Sequence, residues 1–237
     1  IIDNIDQSYL IDDLYKRSLK NPYYSIEALI IQKRDDSKKN LSKKLISLTK
    51  RQGIVRLIDR LFFEIITKIE IYLVKKIDVY KNVLLKHPIS KFKVQKIYVE
   101  PEISPSGLFY RYKNSDLESI KKLDLDLLIR GCGGILKGEI LNICRLGIIS
   151  FDHGDDNRNR VGPLGFWEVY NREPSTEFII QQITEEFSEG DVIFRGKIAT
   201  SFLYKLNYCN LYIKFNIFLH KTIEKLSYDD GKINFYP

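Results

Sequence analysis

The sequence predicts an α/β fold: an open, mostly parallel, twisted sheet with helices on both faces, of Rossmann type. Three observations predict it. Short runs rich in Ile, Leu, Val and aromatic residues recur at 24–32, 95–99, 125–129, 147–151, 177–183 and 191–198, lengths that suit strands. Stretches of helical period alternate with them, as in a sheet built from crossover units. The run LDLLI at 125–129 is apolar at every position but Asp126, as suits a buried strand. A chain of 237 residues is also long enough to bury such a core.

Each element has a local reason. Residues 7–20 read as a helix closed by the Asn21-Pro22 breaker. Residues 24–32 follow as a strand, and KRDDSKKN as a polar loop. From Leu41 to about Tyr80 the period is helical. Leu57, Ile58, Leu61, Phe62, Ile65, Ile66 and Ile69 recur at three- and four-residue intervals, with Arg56, Arg60, Glu64 and Lys68 opposite. Such a stripe is expected to be core or a docking face, and its basic border also suits a membrane interface. After His87-Pro88 comes the strand 95–99, then a loop marked by Pro101, Pro105 and Gly107. Ser115 is placed to cap a short helix ending near Lys122. Gly131-Cys132-Gly133-Gly134 turns the chain from strand 125–129 towards a helix over 137–145. Strand 147–151, a polar loop over 152–163 and a helix around Phe166–Asn171 follow. Strands 177–183 and 191–198 flank the turn Ser188-Glu189-Gly190, and 201–226 reads as a helix.

The net charge of +7 is concentrated: residues 33–97 hold 18 Lys and Arg against 6 Asp and Glu, while the remainder is mildly acidic. A basic stretch attracts phosphates, nucleic acid or an anionic membrane, or is simply a solvated helix face. It carries no RNA-binding motif, so nucleic acid is not the expected partner. Three cysteines without a CxxC read as reduced thiols in a cytoplasmic protein. No apolar run reaches the roughly 18 residues of a membrane span.

The densest chemistry lies in SFDHGDDNRNRVGPLG, residues 150–165, which holds three Asp, one His, two Arg and two Asn. It follows an apolar strand and so belongs to the carboxyl edge of the sheet, where open α/β sheets bind ligands. His153 has the near-neutral pKa range of a general base. Asp152, Asp155 and Asp156 are placed to orient it or hold a cation, or to pair with Arg158 and Arg160. Their spacing matches no compact metal motif, so no metal site is expected. His87 and His220 read as structural. The Gly131–Gly134 turn fails the dinucleotide spacing; its glycines suit the close approach of a ligand or of backbone. Cys132 is given no nucleophilic role.

Three segments resemble the folate-dependent formyltransferases, the family of the methionyl-tRNA, glycinamide ribonucleotide and sugar N-formyltransferases. LDLLIRGCGGILKGEIL resembles the family's strand, turn and helix, with Gly133, Ile135 and Leu136 matching. LGIISFDHGDDNRNRVGP resembles the segment built on Asn-x-His and ending Arg-Gly-Gly-x-Pro, with Gly147, Arg160 and Gly162 matching. TEFIIQQITEEFSEGDVI resembles the strand and turn ending Leu-Asp-x-Gly-Asp, with Thr176, Gln181, Gly190 and Asp191 matching. The resemblance covers about a third of the chain, and GPLGFWEVY suggests a divergent bacterial formyltransferase-like branch.

The resemblance implies formyl transfer from 10-formyltetrahydrofolate to an amine. The family's Asn, His and Asp fall on Ser150, Asp152 and Ser188, so all three are replaced. Carried over, Ser150, Asp152, His153 and Ser188 are the catalytic candidates. Gly133, Gly134, Ile135, Leu136 and Asp191 are the cofactor-binding candidates, and Arg158 and Arg160 the substrate-binding ones. The implied organisation is a formyltransferase-like domain over 1–200, with a basic helical insertion at 33–94 and a helical tail over 201–237. The family's first strand is expected to be missing, lying before Ile1. With 37 residues after position 200, the expected acceptor is the amine of a small nucleotide-linked amino sugar rather than tRNA. The basic segment 33–97 is assigned to a nucleotide-sugar contact or an anionic membrane surface. The alternative is a diverged member that binds or docks without formyl transfer.

Overall fold

A computed structural model describes residues 1–3, 6–7, 9–33, 41–153, 163–185 and 191–229, with side chains for all but 6–7, 41–57, 89 and 153 of these. In chain order the elements are β1 (Asp6–Gln7), α1 (Tyr9–Ser18), β2 (Ala28–Gln32), α2 (Leu41–Val74), α3 (Asp78–Leu84), β3 (His87–Pro88) and β4 (Gln95–Val99). Then come β5 (Glu102–Ile103), β6 (Phe109–Arg111), α4 (Asn114–Lys121), β7 (Leu128–Ile129), β8 (Ile135–Leu136) and β9 (Ile148–His153). The chain finishes with α5 (Phe166–Tyr170), β10 (Ser175–Gln182), β11 (Asp191–Ala199) and α6 (Tyr204–Tyr228).

Ile2 joins two pieces of sheet. Its N–H donates to the Ile30 carbonyl at 2.9 Å, and its carbonyl accepts from Gln32 N–H at 2.8 Å. It forms parallel bridges to Ile31 on one side and Gly131 on the other. The spatial order is therefore β4, β2, Ile2, β7, β9, β10, β11. β4 with β2, and β7 with β9, are parallel. β10 runs antiparallel to both β9 and β11. The mostly parallel sheet expected from sequence thus ends in an antiparallel half; the connection from β10 to β11, residues 183–190, is too short for a parallel crossover. β5, β6 and β8 form a separate three-stranded sheet, and β1 pairs with β3.

Alternate residues of the strands feed two cores, as the period-two pleat requires. Ile2, Leu29, Ile31, Ile149, Phe178 and Ile180 face α1 and the apolar side of α6. Ile30, Leu128 and Ile148 face the other way, onto α4, Tyr110, Leu136 and Ile140. Helices therefore cover both faces. α6 belongs to the main core: Leu211, Phe215, Leu219, Ile223 and Leu226 are all buried in it. A third cluster, Val74, Val83 and Cys209, ties α2 and α3 to α6.

Several expectations change in detail. The helix expected over 137–145 is a single 3-10 turn at Glu139–Asn142, since so short a segment between strands lacks the length to repay helix nucleation. α4 begins at Asn114 without a side-chain cap, so Ser115 sits inside its first turn rather than capping it. The helix from Leu41 stops at Val74 and resumes as α3 at Asp78. Its apolar stripe faces outward: Ile58, Leu61, Phe62, Ile65, Ile66 and Ile69 are all exposed.

Candidate functional site

β7 and β9 run in parallel, so Arg130, just past the end of β7, lies level with Ser150 inside β9. The register holds through Arg130 N–H, which donates to the Ile149 carbonyl at 2.9 Å. Arg130 Nη1 donates to Ser150 Oγ at 3.3 Å, and Nη2 donates to the Gly134 carbonyl. One guanidinium thus links strand β9 to the Gly131–Gly134 turn. Ser150 is only 2% exposed, and its hydroxyl donates to the Phe151 carbonyl at 3.1 Å. Asp152 follows on the same strand face, and Gln181 Nε2 donates to its Oδ2 over a long 3.5 Å.

A second polar group lies beside the turn. Gln32 Nε2 donates to Tyr112 Oη at 2.6 Å and to Cys132 Sγ at 3.2 Å. Gly133 N–H donates to Asp3 Oδ2 at 2.6 Å. Burial pushes the Cys132 thiol up from its ordinary value, against the opposing pull of Arg130. It is therefore a neutral thiol near pH 7 and a poor nucleophile. On the far side of the turn, Glu185 Oε1 accepts from Gly138 N–H at 2.7 Å, and its Oε2 lies 3.6 Å from Lys137 Nζ.

The structure brings Ser150 and Asp152 together and adds Arg130 and Gln181 to them. His153 closes β9 with its backbone opposite Phe178. Asp191 is exposed and pairs with Gln182, the residue after Gln181. Ser188, Arg158 and Arg160, with Asp155 and Asp156, lie outside the described residues. Leu136 is fully buried in the core, and Ile135 N–H and Lys137 N–H donate to the carbonyls of Leu108 and Tyr110. These groups hold β8 to β6. Arg130 is not among the residues singled out from sequence; it joins the site through its contacts with β9 and the turn. A cavity of about 470 Å³ opens at the opposite edge, bounded by Ile1, Leu14, Glu27, Asp126 and Arg145. It contains none of the candidate residues.

No protein-family model matches the sequence, nor does any curated protein. Solved structures do. Glycinamide ribonucleotide transformylase 1 from Symbiobacterium toebii superposes with a TM-score of 0.55 at 8% identity, over 95% of this chain and 85% of that one. Phosphoribosylglycinamide formyltransferase from Bacillus halodurans gives 0.50 at 11% identity, over 93% and 91%. The fold is the formyltransferase fold.

At such identities the likeness lies in the backbone, and the polar set at the sheet edge is this chain's own. It can be tested against a formyl donor. Transfer of a formyl group gathers negative charge on the formyl oxygen, so a fitting site offers N–H groups or a cation there. Arg130 Nε is a buried N–H without a hydrogen-bond partner among the described residues, on a side chain that stays charged at any relevant pH. Residues of the formyltransferase fold's carboxyl edge thus suit the formyl end of a folate donor.

Proposed function

We propose that the protein transfers a formyl group from 10-formyltetrahydrofolate to the amine of a small acceptor, with nucleotide-linked amino sugars as the acceptor class. It stands as a divergent branch of the formyltransferases, in which the Asn-x-His…Asp set is replaced. The observation that carries this reading is Arg130, whose guanidinium is fixed by Ser150 and the Gly134 carbonyl and has one buried N–H without a hydrogen-bond partner among the described residues. When bound, the folate supplies the one-carbon unit at the formyl level. Arg130 would hold the formyl oxygen, donating to it as negative charge develops there. Ser150 holds the guanidinium in place. Asp152, a carboxylate, only accepts, so it suits an N–H of the incoming amine and not the oxygen. Cation and carboxylate thereby divide the work that the resemblance assigns to Asn, His and Asp.

The test is calorimetric titration with a stable 10-formyltetrahydrofolate analogue, followed by turnover assays over a panel of nucleotide-linked amino sugars. The analogue is expected to bind saturably. Arg130→Gln is expected to lower kcat/KM about 100-fold or more, the cost of removing an oxyanion donor. Absence of heat at high analogue concentration sinks the donor assignment. A specific observation favours a second reading: the carboxylate of Asp152 on the same strand face opposes an oxyanion nearby. If the analogue binds but no amine is formylated, the protein is a folate-binding module that has lost the transfer.

A further inference from the structure

α2 meets the rest of the protein through a narrow inner face. Phe63 packs edge-on against Phe166 with ring centroids 5.1 Å apart, Glu70 Oε2 accepts from Lys205 N–H at 2.8 Å, and Val74 is buried beside Val83 and Cys209. The opposite face is also apolar. Ile58, Phe62, Ile65, Ile69 and Tyr72 form a row with spacings of four and three residues, and each is between 46% and 68% exposed. Leu61 and Ile66 widen it. By helical rise this row runs roughly 21 Å. A helix apolar on both sides has its second face covered by something.

Charge selects the cover. Lys68 and Lys75, both exposed, border the row along one side. Lys76 lies over the Tyr72 ring, 5.1 Å from its centroid, and exposed Lys81 and Lys86 follow around α3. Against them stand Asp59, Asp78 and Glu64, the last already paired with Arg60 at 3.2 Å. The whole segment 33–97 carries 18 basic residues and 6 acidic ones. A second copy seated on this face would bring two such basic segments within a screening length of each other, a repulsive arrangement. Anionic headgroups satisfy the lysines while the acyl boundary takes the apolar row.

We propose that the outer face of α2 lies in the plane of an anionic membrane surface, with Phe62, Ile65 and Ile69 inserted and Lys68 and Lys75 among the headgroups. None of the helices in the described residues is long and apolar enough to cross a membrane, so the contact is interfacial. It does not depend on the proposed formyl transfer.

Co-sedimentation of the full chain with vesicles tests it. The wild-type protein is expected to pellet with phosphatidylserine–phosphatidylcholine vesicles, less so as salt rises, and weakly with phosphatidylcholine alone. Phe62→Ser/Ile65→Ser/Ile69→Ser and Lys68→Glu/Lys75→Glu are each expected to weaken binding at least about tenfold. Both change exposed side chains, and an unaltered thermal melt shows that they remain folded. Failure to pellet with either vesicle overturns the proposal, as does equal binding to both that ignores salt. A dimer in sedimentation equilibrium that the triple serine variant dissociates assigns the face to a second copy and overturns it too.

Discussion

At Gly134 the backbone turns with φ of +78°, and a Cβ added there would lie 2.6 Å from the Tyr110 ring. Tyr110 is 6% exposed and packed in the second core, so the ring has no room to retreat. Gly134→Ala is expected to lower the free energy of unfolding by about 2–4 kcal/mol, combining left-handed strain with overpacking. Urea unfolding reads this as a shifted midpoint at constant m. In a double-mutant cycle with Tyr110→Leu, part of that loss returns as a coupling above about 0.5 kcal/mol. An unchanged midpoint for Gly134→Ala would remove the close contact from the account. The glycine run announced a close approach, but the approaching group is a tyrosine from β6. Its arrival is a non-local event that turn composition cannot encode. Ser150 and Asp152 were legible from the polar run that closes an apolar strand, though both lie within β9. Arg130 was not, because what makes it a candidate is its reach to β9 and to the turn.

Between elements, one contact decides how α2 sits. The N-terminus of α6 starts at Leu203 without a side-chain cap of its own. Glu70, buried in the α2 face, accepts the Lys205 N–H. A carboxylate there satisfies an otherwise orphaned amide and meets the positive end of the helix dipole. Glu70→Gln is expected to cost about 0.5–1 kcal/mol, through loss of charge alone, and Glu70→Ala about 1–2 kcal/mol. Thermal melts of the two variants order them; a Gln variant as damaged as the Ala one would make the charge, not the hydrogen bond, the whole source. The same helix marks the limit of periodicity. The repeat from Leu57 to Ile69 correctly gave a helix, yet the side that docks is the other one. Periodicity belongs to a single helix, whereas the docking side was chosen by Phe166 and Tyr204, whose rings take Phe63.

Across the whole molecule, the strands at 95–99, 147–151 and 191–198 were readable from apolar runs, and the alternation of strands and helices gave the α/β class. The role of Ile2 was not readable, since one bridging residue has no period. The three clusters around the sheet share a property that a single titration reads. Burial pushes the Cys144 thiol up to about 11, the Cys209 thiol up to about 12 and the Tyr24 phenol up to about 12. Cys144 sits in the α4-side core, Cys209 between α3 and α6, and Tyr24 against the α1–α6 core. Each group is held neutral by the fold beyond the pH at which the unfolded chain releases its proton. Below the unfolded thiol value of 9.0 both states are protonated, and these groups add no pH dependence. Above it the unfolded state binds fewer protons, so stability falls as pH rises, until the folded groups titrate at about 11 and about 12. Each thiol contributes at most about 1.4 kcal/mol per pH unit to that slope. Urea midpoints measured upward from neutral pH are expected to hold steady and then decline above about 9. Cys144→Ala and Cys209→Ala start from lower stability but show a shallower decline. A wild-type midpoint that stays level through this range would mean that the thiols are not sheltered by the cores in which they sit.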